Sequence, residues 1–274
     1  MMDDIKYFTT VCETLNITRA SEIIGISQPA LSYSIRRLEN ELGGNLLIRL
    51  KNGIQLTKLG EEFKLRARRL LYEWEEAQNI VAPEAAEYNG KYSIAVHPSI
   101  GLYAIEQFLP ELIHQFPKLN LKFIHGLSRE MTEKVISWEA DFGIVVNPVK
   151  HPDLIIKKLY TDEVSIFGTK NSTQKLIYDP SLIQSQTILK KIKKDNKYTE
   201  DIHSGNLEIV AKLSSLGLGH SILPTTIAEK YPQLKKVKDS PIFKDEICFI
   251  YRLEKHQNPT SKKIIDIIKN TEKK

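Results

Sequence analysis

The chain has 274 residues, of which 41% are hydrophobic and 27% charged, with a formal net charge of +5. That length asks for two or three units rather than one, and no apolar run is long enough to cross a bilayer, so a membrane-spanning helix is excluded. The acidic opening Met1-Met2-Asp3-Asp4, with no apolar run behind it, is no secretory signal and predicts a cytoplasmic protein.

The first segment spaces Ile5, Phe8, Val11, Cys12 and Leu15 as one buried helical face. Thr18 is the predicted N-cap of a short helix, Arg19 to Ile24, and Gly25 supplies the turn. Ser27 is a second predicted N-cap, with Pro29 in the first turn of a helix from Gln28 to about Leu42. Leu31, Ile35, Leu38 and Leu42 are its inward stripe, and Gly43-Gly44 ends it. Two short helices around a glycine turn make a helix-turn-helix. Leu46–Leu50 and Ile54–Leu56 flank Lys51-Asn52-Gly53, a hairpin signal, and together read as a wing.

Thr57 caps a long predicted helix with apolar positions at Leu59, Phe63, Ala67, Leu70, Trp74, Ala77 and Val81. Their spacing is a heptad seam, which predicts dimerisation through this helix; packing on the chain's own head is the alternative. Residues 82 to 90 read as a hinge. Charge changes sign along this part. Residues 1 to 69 hold eleven Lys/Arg against eight Asp/Glu, a net of +3, whereas 70 to 88 hold five acidic residues and no basic one. A basic head before an acidic neck points the head toward a polyanion.

From Lys91 strands and helices alternate, which predicts βαβ units and a mostly parallel sheet. Strands are read at 92–96, 119–124, 142–146, 154–159 and 163–167, and helices at 102–116, with Pro110 inside, and 128–138. A smaller α/β unit follows, with a strand at 176–178, helices near 185–193 and 205–216, and a strand at 220–223. A strand at 247–251 and a helix at 261–268 return to the first unit. The lysine-rich run from Lys190 to Lys197 reads as a solvated face, and Cys12 and Cys248 as reduced, packed thiols.

The run Ile26-Ser27-Gln28-Pro29-Ala30-Leu31-Ser32, followed by Leu38-Glu39, Glu41-Leu42-Gly43, Leu56-Thr57 and Gly60, resembles the LysR family of transcriptional regulators. Phe8, Val11, Glu13, Thr18-Arg19-Ala20, Ile35, Leu46 and Arg49 extend the match. Tyr33 departs from the arginine frequent there, Ser21 from an alanine, and Leu47 from a phenylalanine. The connection from Gly168 to Lys175 is short, which leaves the second lobe's completeness open. The resemblance implies an α/β protein: an all-α winged helix-turn-helix (1–57), a linker and dimerisation helix with hinge (58–89), and an effector domain (90–274). That domain has two Rossmann-like lobes of type 2 periplasmic-binding-protein architecture, lobe I at about 90–167 and 242–274 and lobe II at about 168–241. It further implies a homodimer, often a tetramer, bound near a promoter and answered by RNA polymerase.

An α-helix fits the major groove, so the outward residues of the third helix are the predicted readers. Gln28 suits adenine, Pro29 a thymine methyl, and Arg36 guanine or phosphate, with Ser32 and Tyr33 beside them. Thr18, Ser27, Arg49, Lys51, Asn52 and Thr57 complete the predicted DNA contacts, mostly to phosphates; Ser27 is foremost a cap. In the sensing domain the predicted effector contacts lie at strand ends: Ser99, Ile100, Gly101, Ser128 and Asn147 from the first lobe, Thr199, His203 and His220 from the second. Helix N-termini there favour anions, so a small carboxylate is the expected ligand. No cofactor, metal or catalysis is expected. Ser172-Thr173-Gln174-Lys175 and Gly217-Leu218-Gly219 lack the companions of the enzyme motifs they imitate. A sensing domain that is vestigial or answers to a protein is the main alternative; a solute-binding protein is a weaker one.

Overall fold

The computed structural model describes residues 1–50, 53–81, 91–192, 198 and 200–270, without the side chains of 76 and 79–81. It divides into two units, Met1–Asn89 with Ser137–Glu139, and Gly90–Ile136 with Ala140–Lys274. The expected hinge at 82–90 lies outside the described residues, as do Lys51, Asn52 and Thr199.

The first unit begins with α1 (Met2–Thr14), α2 (Ile17–Ile24) and α3 (Gln28–Leu42). Phe8, Val11, Leu31, Ile35 and Leu46 are fully buried in one core with Leu38 and Ile17. Each such side chain contributes about 1.5–3 kcal/mol by leaving water. Leu15, expected on that buried face, instead caps α1 in the left-handed region (φ 48°) and is exposed, while its carbonyl accepts the Ile54 N–H at 3.0 Å. Leu42 is likewise exposed, because the last turn of α3 runs past the core. The cap of α2 is Asn16, not Thr18: its side chain accepts the Arg19 N–H at 3.1 Å. Starting the helix at Ile17 turns Ile17 and Ala20 into the core together, which a cap at Thr18 would prevent. Ser27 caps α3 as expected, accepting the Ala30 N–H at 3.3 Å.

The wing is β1 (Leu47–Leu50) paired antiparallel with β2 (Gly53–Leu56), Leu50 lying opposite Gly53. Its base is fixed by Glu39, whose Oε1 accepts the N–H groups of Leu46 (2.8 Å) and Leu47 (3.1 Å). Thr57 then caps α4 (Lys58–Val81), accepting the Gly60 N–H at 2.9 Å and donating to the Asn45 carbonyl at 2.7 Å. Gly60 has to be glycine: a Cβ there would lie 2.1 Å from the Leu46 carbonyl oxygen. The expected seam of α4 splits. Ala67 is buried in the head's core and Phe63 packs against it, its ring 5.4 Å from that of Phe8. Leu59, Leu70, Trp74 and Ala77 remain exposed. The head thus supplies an apolar partner for Phe63 and Ala67, the packing that is the alternative to dimerisation for this helix.

The second unit carries β3 (Lys91–Val96), α5 (Pro98–Gln115), β4 (Asn120–His125), α6 (Ser128–Ile136), β5 (Phe142–Val146), β6 (Leu154–Gly168) and β7 (Lys175–Tyr178). It continues with α7 (Ile183–Ile192), β8 (Glu200–His203), α8 (Leu207–Ser215), β9 (His220–Pro224), α9 (Thr225–Ala228) and β10 (Lys235–Lys236). It closes with β11 (Phe243–Arg252), a short 3-10 turn (Leu253–His256) and α10 (Pro259–Lys269). Among the described residues these strands form one sheet in the order β4-β3-β5-β11-β6-β9-β7-β8, with β10 on β6. The trios β4-β3-β5 and β9-β7-β8 are parallel; β11 and β6 join them antiparallel.

The two strands expected at 154–159 and 163–167 are one strand, β6. A register shift opposite Ile247/Cys248 passes over Leu159, so the inward–outward phase changes mid-strand and imitates a break. Its length lets β6 begin in the first lobe and end in the second, with β11 beside it from Leu154 to Val164; these two strands are the crossing between lobes. Strand β8 completes the second lobe, and Thr169–Gln174 alone links β6 to β7. Both thiols are buried, and burial pushes Cys12 up to about 12 and Cys248 up to about 11, so neither is reactive near neutrality.

Candidate nucleic-acid interface and ligand cleft

On α3, Leu31, Ser34, Ile35 and Leu38 face inward. The opposite face presents Gln28, Pro29, Tyr33 and Arg36 exposed, with Ser32 half-buried. Gln28 and Arg36 have no side-chain partner among the described residues, nor has Arg49 on β1, which is exposed. Long polar side chains left unpaired on a helix that begins at a stated cap can reach base edges and phosphates. Arg37 is different: its Nε and Nη2 bond both carboxylate oxygens of Asp4, at 3.1, 2.7 and 2.5 Å, and Asp4 is fully buried.

The hydroxyls of two expected DNA contacts already make hydrogen bonds within the head. The Ser27 hydroxyl oxygen accepts the cap bond. The Thr57 hydroxyl gives its one proton to Asn45, leaving none for a phosphate. Thr18 is exposed, and its hydroxyl has no partner among the described residues; only its carbonyl is taken, by the Ser21 hydroxyl at 2.8 Å.

In the second unit the carboxyl ends of β3, β4 and β5 carry Ser99, Ser128 and Asn147, brought side by side by the order β4-β3-β5. Helix α5 starts at Pro98, four residues before the expected Leu102, so Ser99, Ile100 and Gly101 form its first turn and not a loop. Ile100 is buried, and Gly101 is where a Cβ would press on Val96 at 3.0 Å. The N–H groups of Ile100 (3.1 Å) and Gly101 (2.8 Å) both donate to the His97 carbonyl, and Pro98 has none. Only the Ser99 N–H of this turn is left to meet an anion. The Ser128 hydroxyl oxygen accepts the Val146 N–H at 3.0 Å.

The second lobe meets this edge with its own strand ends. Tyr103 on α5 donates its hydroxyl to Glu208 on α8, and Lys230 lies 3.8 Å from Glu106. Burial, then Glu208, raises the Tyr103 pKa. Asp245 on β11 takes one hydrogen bond from each lobe: Asn147 Nδ2 at 2.7 Å and Gln184 Nε2 at 2.8 Å. Burial pushes Asp245 up to about 6, against the pull of those two amides and with help from Asp162 opposite it in the sheet. His97 directly follows β3; its Nδ1 is buried without a partner among the described residues. Burial lowers its pKa, and Asp179, at the end of β7, pulls it partly back. Asp179 is itself buried, one oxygen accepting the Ser181 N–H and hydroxyl.

Of the expected second-lobe contacts, His203 ends β8 beside Tyr178, their rings 4.8 Å apart edge to face. His220 does not join it. It starts β9, opposite Leu176 at the start of β7, with its Nδ1 3.1 Å from the Thr173 carbonyl, so it sits at the far end of the lobe. His97, Asp179, Gln184 and Asp245 do not stand out in the sequence. The usable signal is position: His97 and Asp179 directly follow buried strands.

The sequence matches the family described as bacterial regulatory helix-turn-helix protein, lysR family, over residues 2–61. It also matches the LysR substrate binding domain over residues 85–181. The HTH-type transcriptional regulator BbuR of Bordetella bronchiseptica is 28% identical over 180 residues, 66% of this chain and 55% of BbuR. The HTH-type transcriptional regulator YofA of Bacillus velezensis is 28% identical over 263 residues, 91% of each chain. A full-length OxyR variant from Pseudomonas aeruginosa shares the fold with a TM-score of 0.73 at 20% identity, over 99% of this chain and 94% of OxyR.

Proposed function

Because this chain belongs to the LysR family of bacterial helix-turn-helix regulators, we propose that it reads promoter DNA with α3 and answers to a small polar effector held between two lobes. The observation that carries the DNA reading is the exposed row Gln28, Tyr33 and Arg36 on a helix capped by Ser27 and braced by a wing. In this reading α3 enters the major groove, Gln28 and Arg36 contact base edges, and Arg49 on the wing meets a phosphate. Residues 1–57 are the DNA-binding part, 58–89 the linker, and 90–274 the sensing part.

The linker helix supports self-association through Leu59, Leu70, Trp74 and Ala77, an apolar row without a described partner. A homodimer, assembled further as a tetramer, then presents two or more heads to one promoter, where RNA polymerase responds. No helix among the described residues is long and apolar enough to cross a membrane, and the place of action proposed is the cytoplasm. The function is regulation and not catalysis, as the names of the relatives also have it.

For the effector, Ser99, Ser128, His97, Asp179 and Asp245 surround the meeting strand ends with hydrogen-bonding groups. A ligand touching both lobes there would change the bonds that Asp245 and Tyr103 make across them, and so lobe closure.

The test is fluorescence anisotropy on the DNA upstream of the chain's own gene, across a salt series. Gln28→Ala should cost about 1–3 kcal/mol at one base pair and relax preference there. Arg49→Ala should weaken all sequences alike and lower the salt slope by about one. Binding without preference over random DNA, unchanged in both variants, would refute the reading.

A further inference from the structure

We infer that Tyr33 reads a thymine, its ring held for that purpose by the Arg37–Asp4 ion pair. The inference rests on the DNA-reading role proposed above. Tyr33 lies on the outer face of α3 and is 67% exposed, the most exposed large hydrophobic side chain of that helix. Nothing in the head's core needs it.

Its ring has one positioning contact, however. The Arg37 guanidinium carbon sits 6.0 Å from the ring centroid, within cation–π range. That guanidinium is itself fixed by two-point pairing with Asp4, whose carboxylate is buried. A bidentate pair sets the plane as well as the position of the guanidinium. The chain thus commits one arginine to bracing an aromatic ring and leaves its neighbour Arg36 unpaired. Arg37 also has its charge compensated at close range, so its pull on phosphate is blunted.

The chemistry then selects the base. A phenol carries one O–H and cannot supply the paired donors that guanine's two acceptors reward. It cannot match adenine's donor and acceptor together as a carboxamide such as Gln28 can. What it offers is an apolar ring, and the one apolar group on the major-groove floor is the thymine 5-methyl.

The experiment is selection from a randomised duplex pool with the full-length protein, followed by affinity measurements. Wild type and Tyr33→Phe should select thymine at one position of the site. Tyr33→Arg should turn that position to guanine and leave the others alone. Replacing that thymine by deoxyuridine should weaken wild type about fourfold, the worth of one buried methyl, and leave Tyr33→Ala unaffected. Asp4→Asn frees Arg37, so its salt slope should steepen by about 0.9 for one added phosphate contact, with weaker preference for thymine. Tyr33→Arg selecting the wild-type site, or deoxyuridine costing wild type nothing, overturns the assignment to Tyr33 alone. Wild type selecting no site at all overturns the DNA-reading role with it.

Discussion

Replacing Asp245 by Asn tests whether a buried carboxyl at the junction of the lobes is mostly protonated in acid and ionised at neutral pH. Asp245 is 3% exposed, and burial lifts its pKa from 3.8 to about 6. A carboxyl raised on folding binds its proton more tightly in the folded state. Its contribution to stability is therefore full below about 3.8 and is lost as pH rises through about 6. At about 1.36 kcal/mol for each tenfold change in proton affinity, that loss comes to about 3 kcal/mol. Asn at this position has no such slope, though it forfeits an acceptor for Asn147 or Gln184 at a fixed cost of about 1–3 kcal/mol. The informative quantity is thus the difference between wild type and variant as a function of pH, in which every titrating group not coupled to Asp245 cancels. Thermal unfolding of the full chain from pH 4 to 8 should show that difference shifting by about 6–12 °C in the variant's favour, at about 2–4 °C per kcal/mol. The shift should fall between about pH 4 and pH 6 and level off above, following the two ends of the titration. Parallel curves across that range would refute the reasoning and place the pKa of Asp245 near its ordinary value.

Gly60→Ala places a methyl against the Leu46 carbonyl and should cost the head about 1–3 kcal/mol, seen as a lower melting temperature and lost DNA binding; an unchanged melting temperature would mean α4 does not press on that carbonyl. Leu70→Glu with Trp74→Glu should weaken self-association at least about tenfold in sedimentation equilibrium, since each apolar side chain is worth about 1.5–3 kcal/mol when buried. Both residues are exposed, so the melting of the head should not follow, and unchanged association would remove α4 from the interface.

The head is nearly all legible in the sequence, because its signals are local. Ser27 precedes Pro29 at cap spacing, Gly25 and Gly43 take left-handed turns (φ 80° and 69°) where glycine is expected to, and the inward stripe of α3 holds to Leu38. The misses there are contests between equal local signals. Asn16 and Thr18 are both good caps, and burial of Ile17 decides for Asn16. Phe63 and Ala67 fit a heptad seam and a head core equally well, and only the packing of Phe63 on Phe8 separates them. In the sensing part the errors have a non-local origin. The bulge at Leu159 is a property of β6 and β11 together, 88 residues apart from Leu159 to Ile247, and no window of one strand reveals it.

The charge of the cleft draws on local and non-local features alike. Helix starts at Ser99 and Ser128 suggest an anion, since a helix N-terminus favours negative charge by about 0.3–1 kcal/mol. At the first of these starts the fold takes up one of the free donors, since the Ile100 N–H joins the ordinary Gly101 helix bond on the His97 carbonyl. It then gathers Asp179 from the end of β7 and Asp245 from β11, far apart in sequence, at the same meeting of strand ends. A like charge at about 5–8 Å costs about 2–3 kcal/mol at an effective dielectric of about 20. Two buried carboxylates are thus set against two helix termini, and an effector that presents N–H or O–H donors competes with the expected small carboxylate. A thermal-shift panel of matched amines and carboxylates decides it: stabilisation by carboxylates alone would show that the helix termini, not Asp179 and Asp245, set the polarity of the site.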